Sequence, residues 1–444
     1  MTVGRKIAAL AAGLTLVPVL AQAAFAAEPA APAAPAEPVR ALEAAAHELR
    51  STEPGAESGD LRAFDRMVGD ARVVGMGEAT HGSHEFFTVK ERVFRHLVET
   101  KGFTTFALEA SWSGGLRLDE YLRTGKGDLR AIAKEVLRAS PWERAELVGM
   151  LERMREHNRR NPGRPLHVMG DDLGAPKVGE EVFARVAQYV RGAHPDSAAP
   201  LAALYEGLRP LDDVFAYLNR PLDERRQLAA KAQQALDLLV SLGGPQASAA
   251  YDSAVQDARF IAQTAKFAGY DLADKSWLSV VERYRDQVMA DNTVWWLRHH
   301  GGKILMSAQN THAGYVSGDP ALYPKTQGAY LRDMLGKKYV AVGFTFDRGS
   351  FLSKDAALGG DWKQFTAGPA EPGSNEHTLD RVRYDDFYLD MRTAPAAARD
   401  WLAVARPTRN IGTQYPYPLH DTALSRAFDV LVHLHEVRSA QILK

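Results

Sequence analysis

The chain has 444 residues, of which 45% are hydrophobic and 25% charged, and its formal net charge at pH 7 is -1. This is the composition of a globular protein with one large domain or two moderate ones, and it excludes a disordered chain. The near-neutral charge, without blocks of arginine or lysine, argues against binding to nucleic acid or to acidic membranes. The sequence has no cysteine, which excludes a thiol nucleophile, a cysteine metal site and disulfides.

The N-terminus differs from the rest of the chain. A basic pair, Arg5-Lys6, precedes the apolar residues 7–20 and an alanine-rich stretch with Ala-x-Ala spacing. We therefore predict a secretory signal peptide at residues 1–26 and a secreted or periplasmic protein without stable membrane insertion, because the apolar stretch is short for a membrane span. The proline- and alanine-rich residues 27–40 are predicted to form a linker.

From residue 71 onward, apolar β-rich runs alternate with amphipathic helical patterns. Strands are predicted at residues 71–76, 103–109 and 166–172, and helices at residues 83–100, 116–122, 129–136 and 143–158. This repeated strand–helix–strand order predicts an α/β fold with a mostly parallel central sheet flanked by helices.

The middle of the chain is rich in Ala, Leu, Arg and Gln and shows no convincing strand pattern, so we interpret residues 179–300 as a large helical insertion. Strands are predicted again at residues 303–308, 339–346, 386–391 and 428–434. The predicted organisation is an α/β core of residues 41–178 and 301–444. The insertion is expected to form a lid over the carboxyl ends of the strands.

Four predicted strands in succession end in titratable or amide side chains. These side chains are Glu78 with His81, Glu109, Asp171 with Asp172, and Gln309 with Asn310 and His312. In a parallel sheet they converge on one edge, which is where α/β proteins bind ligands. Polar residues also commonly mark strand ends. Buried carboxylates and histidines are costly without partners, however, so the repetition favours a shared active site.

The segment Gly77–Glu85 holds two histidines and two carboxylates. A polar turn that caps the next helix is the alternative interpretation. A histidine beside a carboxylate is the usual means of activating water near neutral pH. The chain contains no Gly-x-Ser-x-Gly, Ser-x-x-Lys, P-loop, dinucleotide or His-Glu-x-x-His motif. A directly activated water is therefore a simpler hypothesis than a nucleophilic side chain.

We assign His81 as the base that takes a proton from water, with Glu78 or Glu109 orienting its imidazole. His312 is expected to polarise the substrate carbonyl or to protonate the leaving oxygen. Lys90, on the helix after the His81 turn, is a candidate to offer positive charge to an oxyanion. A solvated lysine on a helix face explains that residue equally well.

The predicted substrate-binding residues are Lys90, His84, Asp172, Asn310 and Trp112. His84 is expected beside the site or at the surface rather than among the catalytic groups. Trp112 is a candidate for apolar lining of a cleft between the sheet edge and the insertion. Further candidates for this lining, although core packing explains most tryptophans, are Trp277, Trp295 and Trp296.

A catalytic metal is the competing mechanism. His81, His84, His312 and the nearby carboxylates offer nitrogen and oxygen ligands, but their spacing matches no metal-binding motif. We therefore expect no cofactor and keep a metal-dependent hydrolase as an alternative.

In these blocks the chain resembles the erythromycin esterase family. The matching segments, in the family's order, are Gly77–Gly82, Ala107–Glu109, Gly170–Asp172, Asn310-x-His312 and Gly343–Phe346. The resemblance implies an α/β core with a helical lid, hydrolysis of a macrolide lactone ester by water, and with it a role in antibiotic resistance. It matches the family's essential histidine to His81 and its carboxylates to Glu78 and Glu109.

Two positions depart from the family pattern. The later histidine motif usually reads His-Asn-x-His, whereas this chain has Gln309 in the first position, and Lys90 replaces a common arginine. These departures imply a different substrate or a different efficiency. They also leave open a binding protein for a polyketide or a haem-like ligand on the same scaffold. The leading hypothesis expects a small-molecule ester or lactone as partner, and the sequence leaves the oligomeric state open.

Overall fold

The computed structural model describes residues 37–175, 177–209, 211–244 and 248–444. The predicted signal peptide and residues 27–36 of the predicted linker lie outside the described residues. Residues 37–40 of that linker belong to a helix instead, because Val39 packs into the core. Within the described part of the chain, no helix is both long and apolar enough to cross a membrane.

The helices are α1 Glu37–Ala45, α2 Arg62–Val68, α3 His84–Lys101, α4 Trp112–Thr124, α5 Leu129–Val136, α6 Ala145–Arg160, α7 Glu180–Ala193, α8 Ala198–Leu204, α9 Val214–Tyr217, α10 Leu222–Ser241, α11 Ala249–Ala268, α12 Leu278–His299, α13 Asn310–Ala313, α14 Gln327–Leu335, α15 Asn375–Leu379, α16 Ala396–Leu402 and α17 Leu424–Ala427. The strands are β1 His47–Glu48, β2 Val73–Met76, β3 Thr105–Ser111, β4 His167–Asp172, β5 Ile304–Ser307, β6 Tyr339–Asp355, β7 Gly359–Ala367, β8 Phe387–Asp390, β9 Arg406–Thr408, β10 Gln414–Tyr415, β11 His420–Thr422 and β12 Val430–Val437.

The central sheet has the strand order β1-β8-β12-β6-β2-β5-β3-β4. The strands from β12 to β4 are parallel to one another. Strands β1 and β8 at one end, and β7 beside β6, pair in the antiparallel sense. The predicted α/β fold with a mostly parallel sheet flanked by helices is therefore confirmed.

Successive residues of the inner strands point to opposite faces of the sheet, and each face has its own apolar core. Val74 and Leu305 pack on the face covered by helices that include α3 and α6. Val73 and Ile304 pack on the face covered by helices that include α7, α11 and α12. Because the strands are buried on both sides, they need near-continuous apolar runs, which is the pattern that made them recognisable in the sequence.

The described residues between Gly179 and His300 form helices α7 to α12 and contribute no strand to the sheet. Most of their buried side chains join the core on one face of the sheet. The insertion reaches the carboxyl ends of the strands through Asp212, Asp213 and Arg285. It is therefore mainly one of the two helical layers, and only part of it covers the strand ends.

The neighbouring strands β2 and β5 are followed by helices that pack on opposite faces of the sheet. Phe86 of α3 lies in the core under one face, whereas Leu331 of α14 lies in the core under the other. This divergence opens a crevice at the carboxyl ends of β2 and β5, the usual place for a ligand in an open α/β sheet. The loop that enters the crevice from β2 contains His81.

Strand β6 is longer than predicted. The apolar pattern ends at Phe346, but the strand continues to Asp355 because it pairs with β12 as far as Gly349 and then forms a hairpin with β7. Residues after Phe346 mix polar and apolar side chains, which hid the continuation from sequence patterns.

Gly82, in the loop after β2, lies against the backbone of β6. An alanine Cβ at this position would lie 2.0 Å from the carbonyl oxygen of Leu352 and 2.6 Å from its nitrogen. We expect Gly82→Ala to lower the free energy of unfolding by about 1–3 kcal/mol, as overpacking does, in urea denaturation. The control is Gly163→Ala, because a methyl group there meets no atom within 4 Å. Equal stability of the two variants would contradict the close packing.

Candidate active site

The loop Gly77–Ser83 is held by hydrogen bonds from two other segments. The carbonyl of Glu78 accepts from the N–H of Asn310 at 2.9 Å, and the carbonyl of Ala79 accepts from the N–H of Ile411 at 2.7 Å. The backbone that carries the first histidine is therefore fixed independently of any ligand.

His81 and Glu78 form a buried pair. Nδ1 of His81 lies 2.6 Å from Oε1 of Glu78. The other carboxylate oxygen accepts from Nζ of Lys90, which also donates to Oγ of Ser307 at 3.0 Å. Because the carboxylate can only accept, Nδ1 is the nitrogen of His81 that donates to it, and in the neutral imidazole the lone pair is on Nε2. The lone pair on Nε2 is what a general base requires.

Trp142 fixes the ring of His81 from the side. The two rings meet edge to face with their centroids 5.5 Å apart. The indole Nε1 donates to the carbonyl of Glu109 at 2.5 Å. Trp142 thereby joins the loop before α6 to strand β3 and restricts the orientation of the imidazole.

A second histidine–carboxylate pair lies across the crevice. Nδ1 of His312, in α13, is 2.7 Å from Oδ1 of Asp286, in α12. The same oxygen accepts from the N–H of Gln327 at 2.7 Å. His312 and Asp286 are both buried. The helical insertion therefore supplies the carboxylate that holds the later histidine.

Arg285, beside Asp286, joins the ends of two strands. Its guanidinium donates to Oε1 of Glu109 at 2.8 Å and to Oδ2 of Asp172 at 2.6 Å. Its Nη1 also lies 3.2 Å from Nε2 of His312. The planar fork of donors suits this bridging of two carboxylates, which a lysine could not hold with the same geometry.

These contacts set the charges in the site. Burial acts to raise the pKa of Glu109, but His312 and Arg285 outweigh it and hold that pKa at about 2. Burial acts to lower the pKa of His312, but the carboxylates of Asp286 and Glu109 raise it to about 9. At neutral pH the site therefore contains a permanent carboxylate and an imidazolium that can donate a proton.

Asp171 points away from this group. It is fully buried, and its Oδ2 accepts from Nε2 of Gln327 at 2.7 Å. Burial raises its pKa well above the ordinary value, which favours the protonated acid. Asp171 therefore supports the packing of α14 against β4 rather than the cavity.

A cavity of about 730 Å³ opens at these strand ends. Its lining includes His81, Glu109, Asp172, Arg285, Gln309 and His312 from the crevice. The segment Glu135–Trp142 forms another wall, and Tyr323, Lys354 and Thr413 lie on the remaining side. The volume lies in the range of small-molecule sites.

The sequence of residues 98–437 matches the family model described as erythromycin esterase. This is more than half of the chain. The protein belongs to the erythromycin esterase family. The match includes Glu109, Asp172, Arg285 and His312, whereas the loop with His81 lies before it.

Curated relatives match over short regions. The chain is 35% identical over 68 residues to erythromycin esterase type II of Escherichia coli, covering 15% of this chain and 16% of that protein. It is 27% identical over 153 residues to "Putative hydrolase YbfO" of Bacillus subtilis (strain 168), covering 33% of this chain and 31% of that protein. The chain therefore aligns with less than a third of the length of either relative.

Solved structures match over most of the chain. A Bacillus cereus protein has a TM-score of 0.83 and 29% identity, covering 91% of this chain and 98% of that one. A succinoglycan biosynthesis protein has a TM-score of 0.81 and 29% identity over the same shares. An erythromycin esterase mutant in its open conformation has a TM-score of 0.68 and 18% identity, covering 88% and 98%. This last likeness shows a shared fold.

The structure brings together the four residues that the sequence predicted as catalytic. His81, Glu109 and His312 line the cavity, and Glu78 lies directly behind His81. Among the predicted substrate-binding residues, Asp172 also lines it.

Four predicted substrate-binding residues lie elsewhere. Lys90 is buried against Glu78 and Ser307, so it supports the carboxylate instead of facing a ligand. The side-chain amide of Asn310 donates to the backbone carbonyl of Phe344 at 2.7 Å and accepts from the N–H of Phe344 at 3.0 Å. Both residues therefore stabilise the site from outside the lining of the cavity.

His84 and Trp112 are also outside the lining of the cavity. His84 lies 2.9 Å from Glu146 and opens toward a separate groove between α3 and α6. Trp112 is buried in the core against Trp295 and Trp296. His84 differs from His81 because it is the first residue of α3, whereas His81 lies in the loop before that helix.

Three residues of the site were missed by sequence patterns: Trp142, Arg285 and Asp286. Asp286 had a usable signal, because it lies on the helix face of Met289 and Thr293, which is buried. A carboxylate on an apolar helix face requires a partner. Nothing local distinguished Trp142 from a core tryptophan.

The described residues contain one group of three metal-ligating side chains within reach of one ion, Asp347, Asp380 and His435, and none of these lines the cavity. In the cavity, the cation that faces Glu109 and Asp172 is Arg285. The cavity thus contains histidine, carboxylate and arginine side chains that can carry acid–base chemistry.

Asp286→Asn tests the electrostatic role of the second pair. Losing the carboxylate charge should lower the pKa of His312 from about 9 by about one to three units, as measured by NMR titration. The native His312–Asp286 pair makes its full contribution to the free energy of unfolding below about pH 6.5, and this contribution is lost as the pH rises through about 9. The variant should therefore show a flatter dependence of stability on pH. An unchanged His312 titration would contradict this assignment.

Proposed function

We propose that this protein is a carboxylic ester hydrolase that opens a macrolide lactone or a related ester with water activated by His81. The observation that carries the proposal is the His81–Glu78 pair, at 2.6 Å, on the wall of a cavity of small-molecule size. Membership of the erythromycin esterase family supports the reaction class.

In the first step, Nε2 of His81 takes a proton from a water molecule as the water oxygen attacks the ester carbonyl carbon. The Nδ1–H bond to Glu78 keeps the ring oriented and stabilises its charged form. Lys90 keeps Glu78 from being an isolated buried charge.

In the second step, the bond between the carbonyl carbon and the alkoxy oxygen breaks. His312, with a pKa of about 9, is protonated at neutral pH and donates a proton to the leaving oxygen. Arg285 adds positive charge beside the developing negative charge. A lactone would yield a single product that carries both the acid and the alcohol.

The proposal includes export. The basic pair Arg5-Lys6, the apolar residues 7–20 and the Ala-x-Ala spacing that follows support a signal peptide at residues 1–26. A secreted or periplasmic enzyme would meet its ester outside the cytoplasm.

His81→Ala should lower kcat/KM for a hydrolysed substrate by about 100- to 10,000-fold, the range for loss of a general base. Purified protein is incubated with macrolides of different ring size and with model esters, and a mass gain of one water is followed by mass spectrometry. The matched control is His84→Ala, because His84 lies outside the lining of the cavity. Its activity should stay within about twofold of the parent.

Absence of turnover with every macrolide and ester would overturn the esterase proposal. It would favour a second candidate, a binding protein for a polyketide or haem-like ligand, which the neutral Gln309 at the cavity wall supports. Ligand-induced thermal stabilisation without turnover is the result expected of that candidate. Activity lost on chelation and restored by metal would instead identify a metal-dependent hydrolase.

A further inference from the structure

A second group of titratable side chains lies on strands β6 and β12. In this parallel pair, His433 is opposite Thr345, and Glu436 is opposite Arg348. Because side chains alternate along a strand, His433 and His435 share one face with Thr345 and Asp347. The intervening Leu434 and Phe346 belong to the apolar core on the other face.

Asp380, just after α15, approaches both histidines. Its Oδ1 lies 2.6 Å from Nδ1 of His435 and 3.5 Å from Nε2 of His433. Asp347 completes the group, and the ligand atoms of Asp347, Asp380 and His435 lie within 4.8 Å of one another. Three separate segments of the chain thus bring nitrogen and oxygen ligands to one point.

We propose that Asp347, Asp380 and His435, with His433 as a fourth ligand, form a binding site for a divalent transition-metal ion such as Zn²⁺. Two carboxylate oxygens and two imidazole nitrogens are a ligand set that suits zinc. Tetrahedral zinc with bonds of about 2.0–2.2 Å places its ligands about 3.4 Å apart. Closing the group of Asp347, Asp380 and His435 from 4.8 Å therefore needs a movement of about 1.4 Å at most. His433 lies outside that group and would join it through its contact with Asp380.

His433 is arranged as a metal ligand commonly is. Its Nδ1 lies 2.9 Å from Oγ1 of Thr345, while Nε2 points toward Asp380. A ligating histidine usually donates its other ring N–H to an oxygen, which fixes the tautomer and the ring plane. With Nδ1–H on Thr345, the lone pair of Nε2 faces the site.

A further buried carboxyl group lies near Asp347, and burial raises the pKa of this group, Glu376, to about 7. Glu376 is fully buried, and its Oε2 has no hydrogen-bond partner among the described residues. Its other oxygen accepts from the N–H of Arg409 at 2.7 Å. Glu376 lies close enough to Asp347 for the two carboxylates to repel.

Arg348 is the cation now nearest to the site. Its Nη2 lies 2.5 Å from Nε2 of His435, and its Nη1 lies 3.4 Å from Oδ2 of Asp347. Metal on Nδ1 of His435 would place a proton on Nε2, facing the guanidinium, so Arg348 would have to turn away. Its side chain is 38% exposed, and that movement is open to it. Arg348 and the metal therefore compete.

The site is separate from the proposed catalytic centre. None of the four proposed ligands lines the cavity that contains His81. Metal binding should therefore survive removal of His81, which distinguishes this site from a catalytic metal.

The test is isothermal titration of the chelator-treated full chain with Zn²⁺, alongside Ca²⁺, which prefers oxygen ligands. We expect one Zn²⁺ per chain and much weaker binding of Ca²⁺. His435→Ala and Asp380→Asn should each weaken zinc binding at least about tenfold, and Thr345→Val about 10- to 100-fold. His81→Ala should leave it unchanged.

Arg348→Ala keeps the proposal testable if a ligand variant folds poorly. Removing the competing guanidinium should tighten zinc binding, a gain that misfolding cannot produce. Weaker binding in that variant, no stoichiometric zinc in the parent, or zinc lost from His81→Ala but retained in His435→Ala would each overturn the proposal.

Discussion

Buried carboxylates at one edge of a parallel sheet impose the main constraint on this structure, because each needs a cation or a donor close by. Glu78 is neutralised by Lys90, and Asp286 by His312. Glu109 and Asp172 share Arg285. Removing any one of these cations would leave a buried carboxylate without its positively charged partner. The site is therefore a set of paired charges that must assemble together, and the geometry of the pairs decides which groups can act on a ligand.

The need to pair these buried carboxylates explains why the helical insertion does more than cover the strand ends. Arg285 and Asp286 are adjacent on α12, yet one reaches the strand ends and the other holds His312. The core built on the strands is electrostatically incomplete until α12 docks. A lid that opened by moving α12 as a whole would separate Arg285 from two carboxylates at once. Any opening is thus easier at Asp212 and Asp213 or at the loop before α6, which also line the cavity.

The sequence predicted the sheet well, since strands buried on both faces leave long apolar runs, and it predicted the meeting of Glu78, His81, Glu109 and His312 because parallel strands share an edge. The sequence alone could not predict whether each polar side chain points into the cavity or away from it. Lys90 and Asn310 are polar residues near the site, but they face backward, to Glu78 and to the backbone of Phe344. Arg285 was missed because its partners are distant in the sequence, and the buried helix face of Asp286 predicted a partner without identifying His312 as that partner.

The proposed mechanism gives the two histidines opposite roles, because their surroundings differ. The Nδ1 atom of His81 contacts Glu78, which also accepts from Lys90, and Nε2 is the base in the proposed mechanism. His312 lies between Asp286 and Glu109, and these two carboxylates keep it protonated despite Arg285 beside it. Gln309 occupies the wall between them, where the family usually has a histidine, and its backbone N–H already donates to Glu109 at 2.9 Å. A neutral amide there adds no further titratable group, so in the proposed mechanism the proton for the leaving oxygen comes from His312.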